Sequence, residues 1–307
     1  MKRLADILAL IAVVPVIELL RLLPYRAGLW LSLQVVRVVL SFFRRSKSVA
    51  RRNLQIAFPE KTAEEHERII EASYVTLARN LLSFARIPRL SPDYARATTD
   101  YTETLALIER LRRESGNAGV IIATAHFGSF EGVVQRGALV HEPAAILARG
   151  FGLPLLDAWW NRRRTRFGNN VFFRKGGYKD IVLHLKQGRI VAVLFDQNIK
   201  AKHATFVPFF GLQTAATRAL GLAVQRTGAR VVFAVGIETG DDHMKIVSEE
   251  VPLPEIDDRD ELTRELMTRL HAVLERTIRE YPEQWFWIHR RWKTRPAGEP
   301  ETVYDSR

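Results

Sequence analysis

The sequence predicts an α/β fold: a mostly parallel central sheet flanked by helices, with an apolar helical segment at the N-terminus. Three apolar, β-branched runs, at 120–125, 144–148 and 190–195, lack polar–apolar alternation, as strands covered on both faces do. Stretches of helical periodicity separate them at the spacing of βαβ units, which favours parallel pairing with helices on the sheet faces. Each run also stops at a polar side chain: His126, Arg149 and Asp196. The carboxyl ends of strands in open α/β sheets are where such folds place their ligands.

The 307 residues are 47% hydrophobic, enough for a substantial core. A formal net charge of +12 calls for a polyanionic neighbour, either nucleic acid or an anionic membrane surface. With no cysteine, disulfides, thiolate metal sites and a cysteine nucleophile are excluded. None of the 8 histidines forms a His-x3-His or His-Glu-x-x-His pair, so no metal site is expected.

Taken in order, residues 1–23 are apolar but interrupted by Asp6, Glu18 and Arg21, and no small-x-small cleavage site marks a signal peptide. A second apolar run, 27–43, carries Arg37 and leads into Arg44, Arg45, Lys47, Arg51 and Arg52. Residues 1–50 therefore read as a membrane-anchoring helical hairpin broken at Pro24, interfacial or half-inserted. The basic flank places the following domain, 51–296, on the cytoplasmic side. The competing reading is a pair of core helices in a soluble protein.

Thr62 and Glu65 have capping-box spacing, which predicts a helix over 63–85 with Ile69, Ile70, Tyr74, Leu77 and Leu81 on one face. An extended piece and a helix follow within 101–113, then the central strand, a helix carrying Glu131, the strand ending at Arg149, and a helix over 155–167 crowded with Arg162, Arg163, Arg164 and Arg166. A short strand at 170–174 and a helix at 180–188 lead to the strand ending in Asp196-Gln197. Residues 206–211 read as an aromatic loop, with Thr214 and Thr217 as candidate N-caps of a helix through Gln225. A strand at 229–235, an antiparallel edge strand at 244–247 and a helix over 261–279 complete the domain. Residues 285–296 interleave Trp and Phe with Arg and Lys, and 297–307 read as a disordered tail.

His126 is suited to take a proton from a hydroxyl, since imidazole titrates near neutral pH. Glu131, five positions on, is expected to fix its tautomer and stabilise the imidazolium. The alternative is a histidine ending a strand beside a glutamate favoured by a helix N-terminus. Phe127, Phe130, Trp159, Trp160, Phe206, Phe209 and Phe210 are candidates either for an apolar groove near that edge or for core packing.

Over nearly its whole length the chain resembles the bacterial lipid A biosynthesis acyltransferases and their lysophospholipid and mannoside acyltransferase relatives. The resemblance rests on Arg52-Asn53-Leu54 with Phe58-Pro59, His126 to Glu131, Arg149, Arg166 with Gly168, Asp196-Gln197, Phe209-Phe210-Gly211 and, most specifically, the block from Trp287 to Pro296. It implies a glycerol-phosphate-acyltransferase-like fold at the cytoplasmic face of the inner membrane. It further implies transfer of a fatty acyl group to a hydroxyl of an anionic glycolipid from an acyl-carrier protein thioester, with acyl-coenzyme A as the alternative donor and no cofactor. His126 and Glu131 are then catalytic. Arg149, Arg166, Gln197, Arg290 and Arg291 bind substrate, and Asp196 braces an arginine or a sugar hydroxyl. The acceptor is a lipid A precursor, or else a lysophospholipid or another glycolipid. A reading of another class, a non-catalytic basic protein docking on membranes or nucleic acid through 285–295, accounts for the charge but not for His126 and Glu131 at a strand end; the enzyme reading calls for no nucleic acid.

Overall fold

The computed structural model describes residues 2–43, 45–173, 176–300 and 302–304. Arg44 of the basic flank, Arg174 at the end of the expected strand, and residues 301 and 305–307 of the expected tail lie outside the described residues.

Four helices open the chain: α1 (Lys2–Leu22), α2 (Tyr25–Phe42), α3 (Arg45–Ala57) and α4 (Ala63–Arg86). Among the described residues no single helix is long and apolar enough to cross a membrane, although α2 and α3, bent by 96°, pass that test together on length and composition. Helix α3 runs through residue 50; Val49, Ala50, Leu54 and Ala57 join the main core, and Asn53 is buried beside them. The capping box that starts α4 forms as expected, with Thr62 Oγ1 accepting from the Glu65 N–H and Glu65 accepting from the Thr62 N–H.

The charges that interrupt the apolar run of α1 tie it to the sheet-bearing part of the chain. Buried Asp6 accepts the N–H groups of Leu155 and Leu156 at 2.8 and 3.2 Å, capping helix α8 (Pro154–Arg164) from 149 residues away. Those first-turn N–H groups have no partner within their own helix, and the carboxylate also meets the positive end of the helix dipole. Glu18 pairs with Arg163 of α8. Stacked Phe84 and Trp160, with Trp159 packed edge-on, fill the space between α1, α4 and α8.

Next come α5 (Pro92–Thr98), β1 (Thr99–Asp100), α6 (Thr102–Glu114), β2 (Val120–Thr124), α7 (Phe130–Val140) and β3 (Ala145–Ala148); α8, β4 (Asn170–Phe173), α9 (Gly177–Lys186) and β5 (Ile190–Leu194) follow. The chain continues through β6 (Ala204–Phe209), β7 (Leu212–Thr217), α10 (Ala219–Thr227), β8 (Arg230–Gly240), β9 (His243–Glu250) and α11 (Arg259–Glu280). Among the described residues the main sheet has 7 strands in the order β1-β9-β8-β2-β5-β3-β4, parallel except for the β8–β9 pair. β2 thus sits at the centre between β5 and β8. β9, expected at an edge, is covered by the short β1.

Residues 204–217 correct the expected loop and the N-cap at Thr214, whereas Thr217 Oγ1 accepts the N–H of Ala219, the first residue of α10. They form an antiparallel hairpin, β6–β7, in which Phe209 pairs with Leu212 and the turn is Phe210-Gly211 at φ 50° and 74°. Two left-handed residues in succession match the twist of a two-residue hairpin, a conformation in which the second is naturally glycine. Thr214 is buried in β7, and helix α10 begins only after Arg218. Tyr304 is buried, its hydroxyl donating to Asn53 Oδ1 at 2.7 Å and accepting from the Trp292 N–H at 3.1 Å, while Arg52 Nε donates to the Val303 carbonyl.

Candidate active site

The site grows from the register of two neighbouring strands. β2 and β5 run parallel with Thr124 opposite Leu194, and the Phe195 N–H donates to the Thr124 carbonyl. Each strand then continues two residues to His126 and Asp196. Asp196 Oδ1 lies 2.8 Å from His126 Nδ1, and Asp196 Oδ2 accepts the His126 backbone N–H and the Trp285 indole N–H, each at 3.0 Å. Burial alone raises the pKa of Asp196; the charge of His126 and these hydrogen bonds outweigh it and hold the carboxyl at about 2. A carboxylate facing Nδ1 keeps that nitrogen protonated, so Nε2 is the free base. The Gln197 side-chain nitrogen lies 3.1 Å from His126 Nε2. Phe130 and Phe286 flank the ring, with centroids 4.9 and 5.8 Å away.

Asp196, not Glu131, therefore orients His126. Glu131 is taken by Arg164, whose Nε donates to Glu131 Oε2 at 3.0 Å and whose NH2 donates to Oε1, a two-pronged pair. The Glu131 backbone N–H is received by Asn80 of α4. Sequence spacing suggested a link between His126 and Glu131, but a turn separates the strand end from α7, and the side chain beside the imidazole comes from the adjacent strand.

A cavity of about 180 Å³ opens beside the imidazole and is lined by His126, Phe130, Glu131, Arg149, Arg164 and Gln197, among others. Sequence reasoning gathered His126, Glu131, Arg149, Asp196 and Gln197 correctly to this strand edge. Arg166, Arg290 and Arg291 do not line this cavity. Arg166 is exposed and stacks on Phe167; within the cluster at the end of α8 it is Arg164 that reaches the cavity, a matter of helical phase that composition does not reveal. Arg290 is half-buried over the Tyr304 ring. Arg291 is fully buried, donating to the Ala215 carbonyl at 2.8 Å and contacting His271 Nε2 at 2.7 Å, and so is closed to any substrate.

The aromatic–basic block at 285–295 is not a docking surface either, because Trp285, Trp287 and Trp292 are core residues. Rings buried in this way are not available to stack on bases. The block instead clamps the turns at the carboxyl ends of β2 and β5. Gln284 accepts the Gly128 N–H, Phe127 bridges to Trp285, and His289 Nε2 accepts the Asn198 N–H at 2.9 Å. Thr294 and Asn198 exchange two hydrogen bonds of 3.0 Å. Asn53 holds the block from the other side by donating to the carbonyls of Trp287 and His289. Of the aromatic candidates, Phe127, Phe209 and Phe210 are core, Trp159 and Trp160 pack against α4, and Phe130 lines the cavity.

A central parallel sheet that presents a carboxylate-held imidazole and arginines to one cavity is the arrangement of a group-transfer enzyme. Comparison with known proteins specifies the group. Residues 2–294 match the model for the bacterial lipid A biosynthesis acyltransferases, and the chain belongs to that family. It is 29% identical to the lipid A biosynthesis myristoyltransferase of Escherichia coli K12 over 83% of this chain and 79% of that protein. The palmitoleoyltransferase of the same organism is 28% identical over 90% of this chain and 88% of its own length, and the lauroyltransferase 28% over 91% and 89%. The protein is accordingly an acyltransferase of lipid A biosynthesis.

Proposed function

We propose that the protein transfers a fatty acyl chain from an acyl-carrier protein thioester to a hydroxyl of a lipid A precursor at the cytoplasmic face of the inner membrane. The observation that carries the mechanism is the Asp196–His126 pair at the edge of the cavity. His126 Nε2 takes the proton of the acceptor hydroxyl, which occupies the place where the Gln197 amide now meets the ring. Asp196, ionised at neutral pH, stabilises the imidazolium as it forms. The oxygen attacks the thioester carbonyl, and the imidazolium returns the proton to the departing thiolate, so no acyl-enzyme or cofactor is needed. Arg149, exposed at the cavity mouth, and Arg164, held by Glu131, suit an acceptor phosphate or the developing oxyanion.

Two features support a membrane location. Exposed Leu4, Leu8 and Ile11 form a stripe along α1, and exposed Trp30, Val38, Val39 and Phe42 lie on α2. That area exceeds the scattered apolar residues normal for a soluble surface, and the net charge of +12 favours anionic lipids and an acidic carrier protein. The test is purified protein with acyl-carrier protein thioesters and a lipid A precursor, products read by mass spectrometry. Wild type is expected to add one acyl chain and His126→Ala to fall by at least about 10²-fold; wild-type rates in His126→Ala would falsify the mechanism.

A further inference from the structure

The turn that carries His126 is tied to β8, a strand none of whose residues lines the catalytic cavity. Two glycines let the backbones meet, since a Cβ on Gly128 would run into the Gly236 carbonyl oxygen. Gly236 faces α7, where a Cβ would lie 3.0 Å from Val133, and Glu238 shares that face two residues on. There Glu238 is buried and accepts the O–H of Ser129, which is buried as well. Gln284 completes the connection. Its side chain accepts the Glu238 N–H at 2.8 Å and donates to the Glu238 carbonyl at 3.2 Å, while its own carbonyl accepts the Gly128 N–H at 2.9 Å. Gly128 and Ser129, two and three positions past His126, are thus both held to Glu238, one through Gln284 and one directly.

Neither helix capping nor stability accounts for this pair. A serine just before a helix ordinarily accepts a first-turn N–H. Ser129 makes no such bond, and Asn80 of α4 accepts the Glu131 N–H at 3.1 Å in its place. Burial raises the Glu238 carboxyl above the usual carboxylate range, and the Ser129 hydroxyl with the charges of Arg79 and Arg136 offsets only part of that. An apolar pair of the same shape can serve stability as well. What the hydrogen bond supplies is direction: it fixes the turn relative to β8, where apolar contact would let it slide.

Resting on the general-base reading of His126 above, we propose that Ser129 and Glu238 are positioning residues for catalysis, which lock the His126 turn onto β8 and so fix where Nε2 meets the acceptor hydroxyl. Asp196 holds the imidazole from its Nδ1 side, and this second hold fixes the main chain that carries the ring. The two come from the strands that flank β2, with β5 gripping the ring and β8 the turn. A misplacement of about 1 Å between base and reacting oxygen can cost about 10²-fold in rate.

The experiment measures kcat and KM for the acceptor well below the melting temperature, together with the NMR resonance of the His126 Nδ1 proton. Ser129→Ala, the removal of one oxygen, is expected to lower kcat about 10- to 10²-fold with KM within about twofold, and to shift the Nδ1 resonance. Glu238→Ala should do the same. Glu238→Gln, whose amide oxygen still accepts from Ser129, should keep kcat within about threefold and leave the resonance in place. The double variant Ser129→Ala/Glu238→Gln should fall no further than Ser129→Ala. A Ser129→Ala protein with wild-type kcat, or one whose kcat falls while the Nδ1 resonance stays put, overturns the proposal and leaves the reading of His126 intact. Should Glu238→Ala fail to fold, Ser129→Ala and Glu238→Gln decide. If wild type transfers no acyl chain, the acyl-transfer reading fails, and the Nδ1 resonance in Ser129→Ala alone decides whether the pair holds the turn.

Discussion

His126 and Asp196, 70 residues apart, meet at 2.8 Å because each stands two positions past the end of its strand and the strands are parallel neighbours in direct register. Asp196→Asn keeps the shape but replaces the ionised acceptor with an amide that cannot stabilise an imidazolium. Its kcat is expected to fall about 10²–10⁴-fold. Combined with His126→Ala it should add little further loss, since the two act as one unit. Steady-state rates of the two single variants and the double variant decide this, and fully multiplicative losses would contradict it.

Glu131 acts through Arg164. Removing the carboxylate leaves a largely buried guanidinium unpaired, so Glu131→Ala is expected to cost about 2–4 kcal/mol of stability. The double variant Glu131→Ala/Arg164→Ala should recover part of it, with a coupling of about 0.5–3 kcal/mol. Urea unfolding of the four proteins measures the cycle; strict additivity would show that the pair is not an energetic unit.

Acid should weaken the fold well above the pH at which Asp196 protonates. Burial, with Arg291 beside it, pushes His271 down to about 3, and burial pushes His289 down to about 4. A ring whose folded pKa is depressed contributes stability that is full above its unfolded value of 6.5 and is lost as pH falls towards the folded one. Between pH 6.5 and 4.5 His271 alone accounts for about 2–3 kcal/mol, at about 1.4 kcal/mol per pH unit. Asp196, held at about 2, contributes in the same direction only below about pH 4. Urea midpoints at pH 7 and 4.5 should separate strongly for wild type and less for His271→Gln, whose amide oxygen can still accept from Arg291.

Asp6→Ala removes the cap of α8 and should cost about 1–2 kcal/mol, the usual range for a lost N-cap. α8 carries Arg164, so a raised KM for the acceptor is expected together with a lower melting temperature. Asp6→Asn, which keeps an acceptor oxygen, should restore most of both. An unchanged melting temperature would mean that α1 does not brace the site.

Gly128 has φ 51°, and an added Cβ would lie 2.2 Å from the Gly236 carbonyl oxygen. Gly128→Ala therefore has to move the turn that carries His126. It is expected to lower both stability and kcat, read by thermal melting and turnover; a normal rate would show that the turn tolerates displacement.

The sequence by itself determined the strand runs, their parallel arrangement, the capping box at Thr62, the polar residues gathered at the carboxyl edge, and the family. All of these follow from local periodicity or from the order of residues along one stretch. Tertiary structure decided the rest. Which carboxylate meets His126 depends on strand order, and no spacing between residues 126, 131 and 196 encodes that β5 lies beside β2. Whether a basic–aromatic block faces water or core depends on what packs against it, and Asn53, the β6–β7 hairpin and α11 bury this one. The charges of α1 looked like interruptions of a membrane segment because their partners, Leu155 and Arg163, lie about 150 residues away and become visible only when the helices pack.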